Sequence, residues 1–129
     1  MAVQLSTDVR SAMLDAFESA TGATAILKIR TGAQPATCAT ADSGTALCSI
    51  TLPADWMNAG SGGTKTKLGT WEGAATATGT AAHFRIYEST GVTCKMQGAI
   101  TGDLSLTNTT ITALQTVRIT VFTLTAGNA

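Results

Sequence analysis

The chain has 129 residues, eight basic and eight acidic side chains and a formal net charge of zero; charged residues make up 12% of it, about half the usual share. That length suits one domain rather than two, and the balanced charge excludes a polyanion-steered nucleic-acid binder, which needs surplus Lys or Arg to displace counterions. A hydrophobic fraction of 44% excludes a disordered chain, and the scarcity of ionisable groups tilts the reading away from enzyme chemistry.

The first residues lack the basic segment and apolar run of a secretory signal. No apolar stretch approaches the roughly 20 residues of a bilayer span. Synthesis and folding in a cytoplasm are expected, with no membrane partner. The first element is an amphipathic helix from about Asp8 to about Ala20. Ser6 or Thr7 can cap it, Asp8 suits the positive end of its dipole, and Gly22 supplies a stop. Val9, Ala12, Met13, Ala16, Phe17 and Ala20 recur at helical spacing on one face, with Arg10, Asp15 and Glu18 opposite. The apolar stripe is expected to bury against its own sheet or a neighbouring subunit.

Strand and turn patterns follow. Ala25–Arg30 is a short apolar run, and 36–44 reads as a loop. Ala46–Leu52 alternates, with Ala46, Cys48, Ile50 and Leu52 on one face, until Pro53 stops it. The segment 53–57 suits a single helical turn with Trp56 inward, and the Gly-rich 58–63 reads as a flexible surface loop. Lys65–Trp71 reads as a strand with its lysines outward, and 72–79 as a small-residue connection. Ala82, Phe84 and Ile86 alternate with His83, Arg85 and Tyr87 as in a half-buried strand. Ser89-Thr90-Gly91 then returns the chain into Val92, Cys94 and Met96 as a hairpin. Leu104 and Leu106 mark a short strand, and Thr116–Thr125 a longer one with both faces partly apolar.

About seven or eight short strands behind one helix predict a mainly β chain, a β-sandwich with one N-terminal amphipathic α-helix. The Cys…Trp…Cys signature of immunoglobulin domains is absent, so a jelly-roll-like arrangement is expected. Residues 1–129 are read as a single domain, with about 1–22 as an N-terminal arm and helix and about 23–129 as the sandwich.

Chemistry-bearing patterns are sparse. Cys38, Cys48 and Cys94 lack close metal-ligand spacing and read as free thiols; a Cys38–Cys48 bridge across a hairpin is disfavoured by a cytoplasmic origin. His83 is the single histidine and reads as structural. Asp42, Asp55, Glu72, Glu88 and Asp103 show no paired-carboxylate spacing. Gly60–Lys65 lacks the spacer of a phosphate loop. No catalytic residue, cofactor or metal is therefore assigned, and no small-molecule ligand is expected. Phe17, Trp56, Trp71, Phe84, Tyr87 and Phe122 each anchor something, mostly core. Trp56 and Trp71 flank the Gly-rich loop, where aromatics can also anchor a partner. The candidate partner interface is Val9, Met13, Phe17, Trp56 and Trp71.

Taken over nearly its whole length, the chain resembles a group of small structural proteins of tailed bacteriophages. The resemblance rests on Leu5–Phe17 (LSTDVRSAMLDAF), Leu27–Pro35 (LKIRTGAQP), Leu52–Met57 (LPADWM), Gly79–Tyr87 (GTAAHFRIY) and the closing Thr123–Ala129 (TLTAGNA). It implies a non-enzymatic virion component, foremost a capsid decoration or cement protein on the capsid surface, made in the host bacterial cytoplasm. Its implied partners are the major capsid protein and further copies of itself. Alternatives are a tail, neck or fibre component, and, from another class, a carbohydrate-binding β-sandwich stacking sugars on Trp56, Trp71 or Tyr87.

Overall fold

A computed structural model describes residues 3–100 and 104–126. One helix, α1 (Thr7–Thr21), precedes the strands β1 (Ile26–Arg30), β2 (Ala46–Thr51), β3 (Thr64–Thr66), β4 (Glu72–Ala74) and β5 (Gly79–Thr80). These are followed by β6 (His83–Tyr87), β7 (Cys94–Ala99), β8 (Leu104–Leu106), β9 (Thr110–Ile111) and β10 (Thr116–Thr125). The fold is mainly β and sandwich-like, as its alternating pattern requires. Helix α1 stops at Gly22, whose φ of 87° suits a residue without a Cβ and whose N–H donates to the Glu18 carbonyl at 2.9 Å.

Two antiparallel sheets supply most of the core. The first runs β2-β1-β6-β7. Its direct cross-strand partners Leu27–Ile86 and Ile29–Phe84 share one face and are buried. The second is organised by β10. The first three residues of β10 pair with β4, its middle with β8 and its last three with β3. Val117, Ile119 and Phe122 on β10 are buried in the same cluster as Leu27, Ile29, Ile50 and Ile86. Phe84 and Phe122 meet edge to face across the gap at 5.7 Å. β5 and β9 form a separate two-stranded pair.

Strand β6 departs from the sequence expectation. All five of its residues are buried, not only Phe84 and Ile86. The reason is that the 31–45 loop folds over the outer face of the first sheet and covers His83, Arg85 and Tyr87. The segment 53–57 also differs: it forms no helical turn, and Met57 bridges Lys67 in extended conformation while Trp56 points inward.

The β6–β7 turn is held by one carboxylate. Glu88 accepts the hydroxyl of Thr90 and the backbone N–H groups of Thr93 at 2.8 Å, Thr90 at 2.8 Å and Val92 at 3.1 Å. These bonds, led by the Thr90 hydroxyl, pull its pKa from 4.5 down to about 2. A depressed folded-state pKa contributes stability that is present above the unfolded value and is lost as the pH falls toward about 2. Thermal midpoints measured across this acid range should therefore fall for the wild-type chain and fall less steeply for Glu88→Gln. Parallel curves for the two would show that the turn does not carry this linkage.

Candidate interaction surface

The seating of α1 defines the surface left free. Its inward face is Ser11, Leu14 and Thr21, with Asp15, Phe17 and Glu18 partly buried beside them. These residues meet a row of backbone donors. Met57 N–H donates to Glu18 Oε2 at 2.9 Å, Gly60 N–H to Asp15 Oδ1 at 2.7 Å, and Gly63 N–H to Ser11 Oγ at 3.1 Å. Trp56 Nε1 donates to the Gly22 carbonyl at 3.0 Å. The Gly-rich segment is thus a packed ledge rather than a flexible loop. A Cβ at Gly60 would lie 2.6 Å from the Ser11 carbonyl oxygen, so the approach requires glycine.

Lys65 corrects the expectation of an outward lysine. Its side chain is 1% exposed, and its Nζ lies 2.7 Å from Asp15 Oδ1 and 3.2 Å from Glu18 Oε1. Burial alone would depress its pKa, but the hydrogen bonds to Asp15 and Glu18 outweigh it and leave the ammonium more basic than usual. The Lys65 hydrogen bond, with that from Gly60, holds the Asp15 carboxyl below its ordinary range. Arg10 completes the seat, donating to the Ala126 carbonyl at 3.2 Å.

The helix therefore sits the opposite way round from the pattern of its apolar stripe. Arg10, Asp15 and Glu18, expected outward, grip the body; Val9, Ala12, Met13, Ala16 and Ala20 face outward. Val9 is 43% and Met13 53% exposed. Among the five candidate interface residues, these two are exposed. Phe17 is half-buried against Trp56 at 5.7 Å, edge to face. Trp56 and Trp71 are corrected out of the candidate interface and belong to the core: both are fully buried in the aromatic chain Phe17–Trp56–Trp71–Phe122–Phe84. Tyr87 is buried as well, so none of the three rings expected to stack on sugars has a free face.

The outer face of the first sheet carries the second cluster. Arg85, buried on β6, donates through Nη2 to the carbonyls of Thr37 at 3.0 Å, Cys38 at 3.1 Å and Thr40 at 3.0 Å. Its Nε reaches Gln97 Oε1 at 3.1 Å, and its Nη1 pairs with Asp42. Asp42 also accepts the Tyr87 hydroxyl at 2.5 Å and lies 3.6 Å from Arg30. Partial burial would raise the Asp42 carboxyl, but these hydrogen bonds and the two arginine charges leave it below the usual range. The same environment, burial first, pushes Tyr87 up to about 12. A cleft of about 340 Å³ opens between this loop and β7, lined in part by Cys38, Asp42, Arg85 and Cys94.

His83 and Glu72 are engaged structurally. His83 Nδ1 lies 2.9 Å from the Gly32 carbonyl, and its ring is buried. Glu72 receives a two-pronged contact from Arg118, with Nε at 3.0 Å and Nη2 at 2.7 Å. Asp103 lies outside the described residues. Sequence reasoning missed the Arg85–Asp42 cluster and the Lys65 clamp because each joins segments far apart in the chain. Comparison with family models, with curated proteins and with solved structures finds no match to this chain.

Proposed function

We propose that this chain is a structural subunit of a tailed-bacteriophage virion, a capsid decoration protein that docks on the outer capsid lattice through the outward face of α1. The observation that carries this reading is an exposed Val9–Met13 face on a body whose charged side chains are largely committed to internal contacts. The sequence resemblance points the same way. Covering the exposed parts of two such side chains is worth about 2 kcal/mol per copy. That is weak for one contact, but it accumulates where copies repeat across a lattice and bind one another.

Deleting the helix would be a poor test, because it would uncover Lys65 and Trp56. The Val9→Glu, Met13→Glu double variant leaves the inward face intact. Its thermal midpoint should stay close to that of the wild type, since exposed substitutions change stability by roughly 0.5 kcal/mol or less. Its co-sedimentation with purified capsids should drop by about tenfold or more. Unchanged capsid occupancy would sink the assignment of this face. A particle carrying only the few copies of a tail, neck or fibre subunit would move the protein to that part of the virion.

A further inference from the structure

We propose that Cys38 and Cys94 form a thiol modification site at the cleft beneath the 31–45 loop, where a small-molecule disulfide such as glutathione disulfide joins them into an intramolecular cross-link. Both residues line the cleft, both are partly accessible, and Cys38 is a side-chain neighbour of Cys94.

Their placement is built by the surrounding structure. Arg85 fixes the Cys38 backbone by donating from Nη2 to its carbonyl, together with those of Thr37 and Thr40. Cys94 stands directly across from Tyr87 on the neighbouring strand, at the bulge in the β6–β7 register. The backbone of each cysteine is therefore anchored to β6, one through Arg85 and the other through the ladder. The third cysteine is excluded by position. Cys48 is fully buried, and its thiol donates to the Ala74 carbonyl at 3.6 Å. Burial and the Cys38 neighbour hold the proton on Cys94, up to about 11, partly offset by the Arg85 charge.

The exchange balances in two displacements. The Cys38 thiolate attacks one sulfur of glutathione disulfide, forming a mixed disulfide and expelling one glutathione thiolate. Cys94, giving up its proton, then attacks the Cys38 sulfur and expels the second glutathione. The two protein thiols lose two electrons and two protons, and two molecules of glutathione carry them away.

The test treats the folded full-length chain with glutathione disulfide, blocks remaining thiols with iodoacetamide under denaturing conditions, and maps the products by mass spectrometry without reduction. Trypsin leaves Cys38 and Cys48 in one peptide, so a protease that cuts before aspartate is added; Asp42 lies between them. The expected product is a Cys38–Cys94 linked peptide that disappears on reduction, with Cys48 alkylated. In Cys38→Ser and Cys94→Ser the cross-link is lost and the surviving thiol keeps a glutathione adduct. Wild-type chains that carry separate glutathiones on Cys38 and Cys94, leave both free, or link either one to Cys48 would overturn the proposal.

Discussion

Trp71→Ala is expected to destabilise the fold by about 4 kcal/mol. The ring is fully buried between Trp56 at 5.9 Å and Phe122 at 5.3 Å, and its Nε1 donates to the Leu68 carbonyl at 3.1 Å. Through these neighbours it joins the helix seat to the β10 face. Removing it opens a cavity between two elements that cannot both collapse into it, because Trp56 is also tied to Gly22. Trp71→Phe keeps the aromatic contact and should lose roughly half as much. Urea denaturation followed by far-ultraviolet circular dichroism measures both. A loss below about 1 kcal/mol for Trp71→Ala would mean that this ring does not hold the two layers together.

Arg85→Ala is expected to cost about 3–5 kcal/mol, with the damage concentrated in the 31–45 loop. The change leaves Asp42 without its closest cation, the Cys38 and Thr40 carbonyls without a donor and Gln97 Oε1 unpaired. Arg85→Lys should not rescue it. A single ammonium cannot reproduce a planar fork that reaches the loop, Asp42 and Gln97 together. Hydrogen exchange and limited proteolysis should report opening of 36–44 in the variant while the Leu27–Ile86 ladder stays protected. Uniform loss of protection across the sheet would instead make Arg85 a residue of the global core.

These effects show which parts of the fold are legible in the sequence. The strand from about Thr116 to about Thr125 is readable, and the β6–β7 hairpin is readable from alternation around Ser89-Thr90-Gly91, because both are local patterns. The helix is readable in extent but reversed in facing. Its Ala-rich stripe satisfies helical spacing, yet the ledge it rests on offers N–H groups and an ammonium, which bind Asp15 and Glu18 better than alanine. Periodicity assumes that the partner surface is apolar, and here it is not. The same limit hides the outer face of β6. His83, Arg85 and Tyr87 look like the solvent side of a strand until the loop that covers them is in place. Val9 and Met13 are legible as members of an apolar stripe but not as exposed, because an exposed apolar face and a buried one have the same spacing.

The dependence of three short strands on β10 also constrains how the chain assembles. β3, β4 and β8 all precede β10 and each pairs with it in the second sheet. During translation they emerge before that common template exists, while the β1–β2 and β6–β7 pairings are already within reach. The apolar side chains destined for β10, Trp71 and Leu104 among them, stay uncovered for that interval. Folding of the second layer is therefore a late, cooperative event that depends on contacts distant in sequence, the step at which nascent copies are most exposed to aggregation.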